Sequence, residues 1–444
     1  MQKSLLTLAV FLFSTATSLA TNVSGVINTH TTWTKANNPY IVKGDIAIDT
    51  SASLTIEPGV EVRFDGNYII YAYGKIMAEG TKTDKIVFTS NKLNPKKSDW
   101  KGIEVWYTTY DDTIKFSNCL FSYSGKAAIH IRSNPGIISD CIFKDNATGV
   151  VNYSFSQAYI YVTNCIFQNN DGGTWFGGRN VVKNCEFYNN LKGIENSSNG
   201  SIEIANCVFY NHNTAITYGN NIHHNVIAYS KQSALSGCAK VKYNQIWHNK
   251  IGLERAIKDS VENNSFRYNE IAIKGTTVSS SSFLMNNCIE NSTLYDYYNT
   301  GVAGAYITMN YWGTTDSSTL MSRFYDFYDD FTIGKVTFLP VLTAADSGCA
   351  DTIAIPPLSI KNNAVYNAAI VKVYPNPMGD KLTIASTKQI AAITITDITG
   401  KAILQQNINN TKATIRTDGL ASGVYLYKIF HTDDAISTGK LLKE

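Results

Sequence analysis

The residues best suited to chemistry in this chain are those that recur. Cys119, Cys141, Cys165, Cys185 and Cys207 each follow an Asn or Asp and stand two residues before a Phe, and Cys288 again follows an Asn later. Thiols strung along a line cannot close the tetrahedron that zinc requires. Neighbours held one strand spacing apart also meet at a poor angle for bridging. The column reads as a buried ladder of small thiols, so no metal and no cofactor is expected. Cys238 and Cys349 stand outside it. His212, His223, His224 and His248 invite a metal reading, but they sit at different offsets from their own Asn and should not share a face. They are expected on the solvated surface.

A second set of candidates follows each recurrent Gly or Ala, as in Lys101-Gly102-Ile103-Glu104, Ala128-Ile129-His130, Thr148-Gly149-Val150-Val151 and Lys192-Gly193-Ile194-Glu195. If the apolar residue points inward, the next points outward. The outward column becomes Glu104, His130, Val151, Phe176, Glu195, Thr217, Ser236, Glu254 and Lys274, with Trp106, Arg132, Tyr153 and Gly178 two residues further along. Such a face is aromatic with scattered charge, which suits the stacking and hydrogen bonding of sugar rings. The expected saccharide contacts are Trp106, Tyr153, Trp175, Phe176, Arg179 and Glu195.

Turnover on that face would fall to His130, Arg132 and Glu104. A hydrolytic pair needs two carboxylates within roughly 5 to 10 Å, and Glu104 and Glu195 lie four coils apart. No acidic cluster stacks beside His130 and Arg132 to hold calcium for a lyase. Binding or adhesion is favoured over catalysis. A polysaccharide lyase or glycoside hydrolase is the alternative, and a purely structural surface rod the third.

The elements that must position these residues are set by one phrase. It runs Asn118-Cys119-Leu120-Phe121, Asp140-Cys141-Ile142-Phe143, Asn164-Cys165-Ile166-Phe167, Asn184-Cys185-Glu186-Phe187 and Asn206-Cys207-Val208-Phe209, with looser copies at Asn225, Asn244, Asn264, Asn287 and Asn310. The steps are 22, 24, 20, 22, 19, 19, 20, 23 and 23 residues. Leucine-rich repeats share this period, but their repeated leucines are absent. Three short strands and three turns consume about this many residues, and strands of successive coils then pair in parallel about 4.8 Å apart. The recurrent Asn tolerates a left-handed corner and can hydrogen-bond to its counterparts above and below, so these residues are expected to form one column. The stretch from Asn22 to Leu342 resembles the pectate-lyase-like superfold. That resemblance implies an all-β, right-handed parallel β-helix and leaves the activity open.

Both ends of the repeat differ from its middle. Ile46 to Ile48, Leu54 to Ile56, Val60 to Phe64 and Lys85 to Thr89 alternate as strands without the Asn phrase. After the last coil, Asp316 or Ser317 is placed to cap a short helix carrying Leu320, Phe324 and Phe327 on one face. Ahead of the repeat, Lys3, the apolar run Leu5 to Phe13 and Ser18-Leu19-Ala20 read as a secretory signal spanning 1–20. No stretch is long enough for a transmembrane segment. Without Lys3 the formal charge falls from +3 to +2, which gives no reason to expect nucleic acid as a partner.

The repeat occupies 21–342, and 343–369 has the composition of a linker. Residues 370–444 alternate as short strands between turns and suggest a compact sandwich. They carry Tyr374-Pro375-Asn376-Pro377, the turn at Gly400, Gly423-Val424-Tyr425 and the basic tail from Lys440. With these motifs the segment resembles the type A C-terminal sorting domain of the type IX secretion system. The resemblance implies passage through the periplasm to the outer surface of a Gram-negative cell, with the secretion machinery as partner. It also implies removal of the domain, and release or surface attachment.

Overall fold

The computed structural model describes residues 20–106, 114–132, 135–153, 159–198, 200–254, 259–275, 283–345, 371–397, 401–432 and 436–443. The expected signal, except Ala20, and nearly all of the expected linker therefore lie outside the described residues. Two compact units divide at Ile353/Ala354.

In the first unit each coil contributes three strands. A typical coil holds Ile114–Ser117, Cys119–Ser122 and Ala127–Ile131, which pair in parallel with Gly136–Ser139, Ile142–Lys144 and Thr148–Asn152 of the next. We call these the first, second and third faces. The first is a 12-stranded parallel sheet; the other two share a 25-stranded sheet, because Tyr40–Ile48 runs through both. The N-terminal strands are coils of the same solenoid and not a separate cap, since Thr31–Trp33 pairs with Ser53–Ile56 and that strand with Lys75–Glu79.

The interior is a stack of rings. Phe88, Phe121, Phe143, Phe167, Phe187 and Phe209 lie face to face at centroid spacings of 4.6 to 5.0 Å, all fully buried. The recurrent Gly leaves room for them: a Cβ on Gly173 would sit 2.8 Å from the Phe187 ring and 2.3 Å from the Gly193 carbonyl oxygen. In the last coil this small-residue position holds Asp296, paired across strands after Ala272. It is fully buried and ion-paired to Arg323. Burial pushes its carboxyl up to about 6 against the pull of Arg323. Asp316 does cap the helix Ser317–Met321, accepting from the Thr319 N–H at 2.8 Å. The helix stops there, and Phe324 enters a two-residue strand.

The corners depart from the single expected Asn column. Asn118, Asp140, Asn164, Asn184 and Asn206 adopt positive φ, and the corner then continues through His224, Tyr243, Asn263, Asn286 and Met309. The register slips by one residue after Asn206, because Val208 pairs with Val226. Asn225, Asn244, Asn264, Asn287 and Asn310 therefore follow Cys207 in the buried column, and each caps its neighbour. The Cys207 N–H donates to Asn225 Oδ1 at 2.8 Å, the Asn225 N–H to Asn244 Oδ1 at 3.0 Å and the Asn244 N–H to Asn264 Oδ1 at 3.0 Å. Cys288 does not continue the thiol column: it lies in register with Ser265 and is disulfide-bonded. The five column thiols are free and buried, each donating to a carbonyl two residues back at 3.2 to 3.3 Å. Burial pushes those of Cys119, Cys165 and Cys207 well above their ordinary range.

Five residues past each of these corners except Met309 lies a second left-handed corner, and most of these are followed by a second buried ladder: Ser124, Asn146, Asn170, Asn190, His212, Ser230, Asn249 and Asn269. The backbone N–H groups of Ser124, Asn146 and Asn170 donate to the next Asn Oδ1 at 2.9 Å. His212 is thus a ladder residue and not a surface one. Its Nδ1 lies 3.0 Å from the Asn190 carbonyl and its Nε2 3.0 Å from that of Phe187, and burial lowers its pKa to about 4.

The second unit is a five-stranded antiparallel sheet of Val371–Tyr374, Lys381–Asp397, Ala402–Arg416, Gly423–His431 and Ile436–Lys443. Register shifts around Ile390 split its longest strand, so that one half pairs with Val371–Tyr374 and the other with Gly423–His431. Leu382, Ile384, Ile393, Ile395, Ile415, Ile429 and Leu441 fill its own core.

Three outcomes follow. Asn244→Ala strips a buried N–H of its acceptor and a buried carbonyl of its donor, and should cost about 2 to 4 kcal/mol in urea unfolding. Cys185→Ala should cost about 1 kcal/mol. For His212 the folded pKa lies below the ordinary 6.5, so the unfolded chain takes up its proton first. Its contribution is therefore intact above pH 6.5 and lost progressively as pH falls towards 4. His212→Asn, which restores the ladder residue, should show a shallower fall in urea midpoint over that window.

Candidate functional site

The third face carries the candidate residues because inward and outward side chains alternate along its strands. Cross-strand register places Tyr71, Glu104, His130, Val151, Trp175 and Glu195 in one outward column. Beside it run Tyr73, Trp106, Arg132, Tyr153 and Gly177, whose backbone N–H groups each bond to a carbonyl of the preceding coil. Tyr73, Trp106 and Tyr153 are 37%, 37% and 43% exposed.

Three sequence assignments change. Phe176 is fully buried, and Trp175 holds its place in the outward column. The doublet Gly172-Gly173 conceals the register, for the inward residue after it is Thr174, which no apolar pattern reveals. Gly177, not Gly178, continues the neighbouring column. Arg179 belongs to the first face, where its Nη1 donates to the Tyr159 hydroxyl at 3.3 Å and its guanidinium lies 5.6 Å from that ring. Tyr71 and Tyr73 were missed, although the alternation of Ile70, Tyr71 and Ala72 one coil earlier would have supplied them.

At the centre, Arg132 donates from Nε at 2.9 Å and from Nη2 at 2.6 Å to Glu104 Oε1. The guanidinium lies 4.9 Å from the Trp106 ring and 5.5 Å from the Tyr153 ring, within the range of cation–π attraction. Tyr153 in turn packs on His130 at 4.8 Å and on Trp175 at 4.5 Å. His130 Nδ1 is 3.9 Å from Glu104 Oε1. Burial first, and the Arg132 charge second, lower the His130 pKa to about 4, so the ring is neutral at neutral pH.

This arrangement can stack and hydrogen-bond a flat, polyhydroxylated ligand. It is poorly set for proton transfer: Glu104 is held by Arg132, and His130 is a weak base. Glu195 bonds to Lys192 at 2.8 Å and stands four strand spacings from Glu104, about 19 Å. Among the other histidines, His223 bonds to Glu203 at 3.2 Å, while His248 is stacked between Tyr229 and Tyr268. Among the described residues no group of three or more His, Cys, Asp or Glu is placed to hold a metal ion.

In the second unit the quoted motifs converge on one end of the sheet. Tyr374 pairs with Thr383 and Gly423 with Lys443, and the backbone of Lys440 pairs with Leu426. Asn376 Oδ1 accepts the Leu442 N–H at 2.8 Å, which ties the Tyr374-Pro375-Asn376-Pro377 phrase to the basic tail. The Tyr425 hydroxyl donates to the Ala421 carbonyl at 2.8 Å. Gly400 lies outside the described residues.

Residues 25–110 match the family described as "Pectate-lyase like beta helix domain" and residues 101–237 the "Right handed beta helix region". The first unit is accordingly a right-handed parallel β-helix of the pectate-lyase-like type. Residues 372–444 match the "Secretion system C-terminal sorting domain". The protein is thus a β-helix carrying a type IX sorting domain, which indicates secretion by that machinery to the cell surface. No helix among the described residues is long and apolar enough to cross a membrane.

Two solved structures are among those to which the chain is similar at low score. One is the receptor-binding protein of bacteriophage Det7, a podoviral tailspike in a myovirus, at 10% identity over 95% of each chain and a TM-score of 0.27. The other is tailspike protein 2 of Escherichia coli O157:H7 bacteriophage CAB120, at 11% identity over 96% of this chain and 64% of that one, with a TM-score of 0.22. Superpositions this loose carry no argument about ligands. No curated protein matches the sequence.

The Glu104–Arg132 pair should reveal itself in stability. Arg132→Ala leaves a buried carboxylate without its partner and should cost about 1 to 3 kcal/mol in urea unfolding, allowing for the partial exposure of Arg132. Adding Glu104→Gln to the same chain should recover most of that loss.

Proposed function

We propose that the β-helix binds an extended glycan on its third face, over Tyr73, Trp106, Arg132, Tyr153 and Trp175, as a surface-exposed or released adhesive protein. The observation that carries this reading is the run of partly exposed aromatic rings around Arg132. They follow the solenoid axis at intervals of one or two strand spacings, about 5 to 10 Å. Aromatic side chains left half in water on an otherwise well-packed sheet offer apolar faces to sugar rings, while Arg132 and Glu104 supply hydrogen-bonding edges. The pairing of Glu104 and the distance to Glu195 favour binding over hydrolysis.

A glycan array read for both retention and product release tests this. Trp106→Ala and Tyr153→Ala should each weaken binding about tenfold, the equivalent of 1 to 2 kcal/mol of stacking, with unfolding midpoints close to the parent's. Release of unsaturated or shortened products, abolished by His130→Ala, would replace the reading with a lyase or hydrolase. Identical retention by parent and variants would leave a structural rod.

A further inference from the structure

The charges on the third face narrow the ligand further, and this inference rests on the glycan-binding reading. An acidic polysaccharide presents a carboxylate or sulfate every one or two rings and needs cations whose charge is still available to it. Arg132 is the cation at the centre of the aromatic run, and its charge is already engaged: two of its nitrogens bond to the same oxygen of Glu104, whose side chain is 8% exposed. Where the run ends at Glu195, that carboxylate is paired with Lys192. At the rims stand Asp45, which accepts the Ile69 N–H at 3.2 Å and bears on Tyr71, and Lys126, which bears on His130. Those two are of opposite sign and cancel at a distance.

We propose that the third face selects an uncharged polysaccharide lying along the solenoid axis, because the Glu104–Arg132 pair neutralises the centre of the site and the flanking rings supply the contact. The pair is not idle. Its outward guanidinium edge remains a hydrogen-bond donor for hydroxyl groups, and its planar face fills the gap between Trp106 and Tyr153. His130, neutral at neutral pH, adds no charge to this balance.

The test uses the full chain, with tryptophan fluorescence and calorimetry as readouts. The probes are mixed-linkage β-glucan, xylan and mannan on one side and polygalacturonate, alginate and dextran sulfate on the other, at low and high salt. Binding of an uncharged polymer is expected, with an affinity that changes by less than about twofold across the salt range. It should rise with oligosaccharide length until the chain spans Tyr73 to Trp175, about 19 Å, and then level off. Binding of acidic polymers alone, weakening about tenfold as salt rises, would overturn the inference while leaving glycan binding intact. Binding of none would overturn both. Glu104→Gln supplies the converse test, since it frees the Arg132 charge. That variant should gain salt-sensitive affinity for polygalacturonate that the parent lacks. A folded Glu104→Gln protein indifferent to polygalacturonate would show that the pair does not set the selectivity.

Discussion

Everything in the solenoid depends on how its corners satisfy the backbone. A coil that turns sharply removes N–H and C=O groups from the strand ladders, and in a stacked rod many of these groups are buried. The chain answers with side chains that point inward just after each left-handed residue and bond along the axis. Asn does this best, because one amide both accepts an N–H from the preceding coil and donates to a carbonyl. Asn244 receives the Asn225 N–H at 3.0 Å and gives to the Ile222 carbonyl at 2.9 Å. Where Cys occupies the position the bonds are weaker. The thiol column and the Phe stack run through the same early coils, whereas the Asn column begins where the rings give way to Ile227 and Ile246.

Because cohesion is internal, the outside of the third face is free to carry a site. Tyr73, Trp106, Tyr153 and Trp175 stand outside the buried core, and the strand ladders fix their spacing to within a strand's width. Such regularity suits a polymer whose own units repeat. It also explains why charge is handled locally: Glu104 lies too deep for water to stabilise it fully, and Arg132 from the next coil neutralises it without altering the ladder.

Much of this was legible in the sequence, and its failures have physical causes. The period and the parallel coils follow from recurring phrases, and the sorting unit from motifs of its own. The slip after Asn206 was not read, because Asn serves both at the left-handed corner and in the buried column. The signal was nevertheless present: the buried Phe209 stands three residues after Asn206, but the buried Ile227 only two after Asn225. Phe176 was misplaced because Thr174 takes an apolar residue's position. Arg179 was misplaced because a short corner carries the chain from the third face to the first. Glu104, His130, Arg132, Trp106 and Tyr153 were found from alternation alone, but the bonds that tie them together depend on rotamers that alternation does not encode.

The five free thiols of the column add a condition on the order of events. A chain entering an oxidising compartment unfolded carries Cys119, Cys141, Cys165, Cys185 and Cys207 within reach of one another and of any disulfide exchange partner. Once wound, each is sealed behind a strand with its Sγ–H turned to a carbonyl, out of reach of an exchange partner. Winding and oxidation are therefore in a race. A chain that coils quickly, one rung templating the next, reaches the exterior with its thiols intact. A chain delayed in the unwound state can lock the wrong pair and block every coil between them.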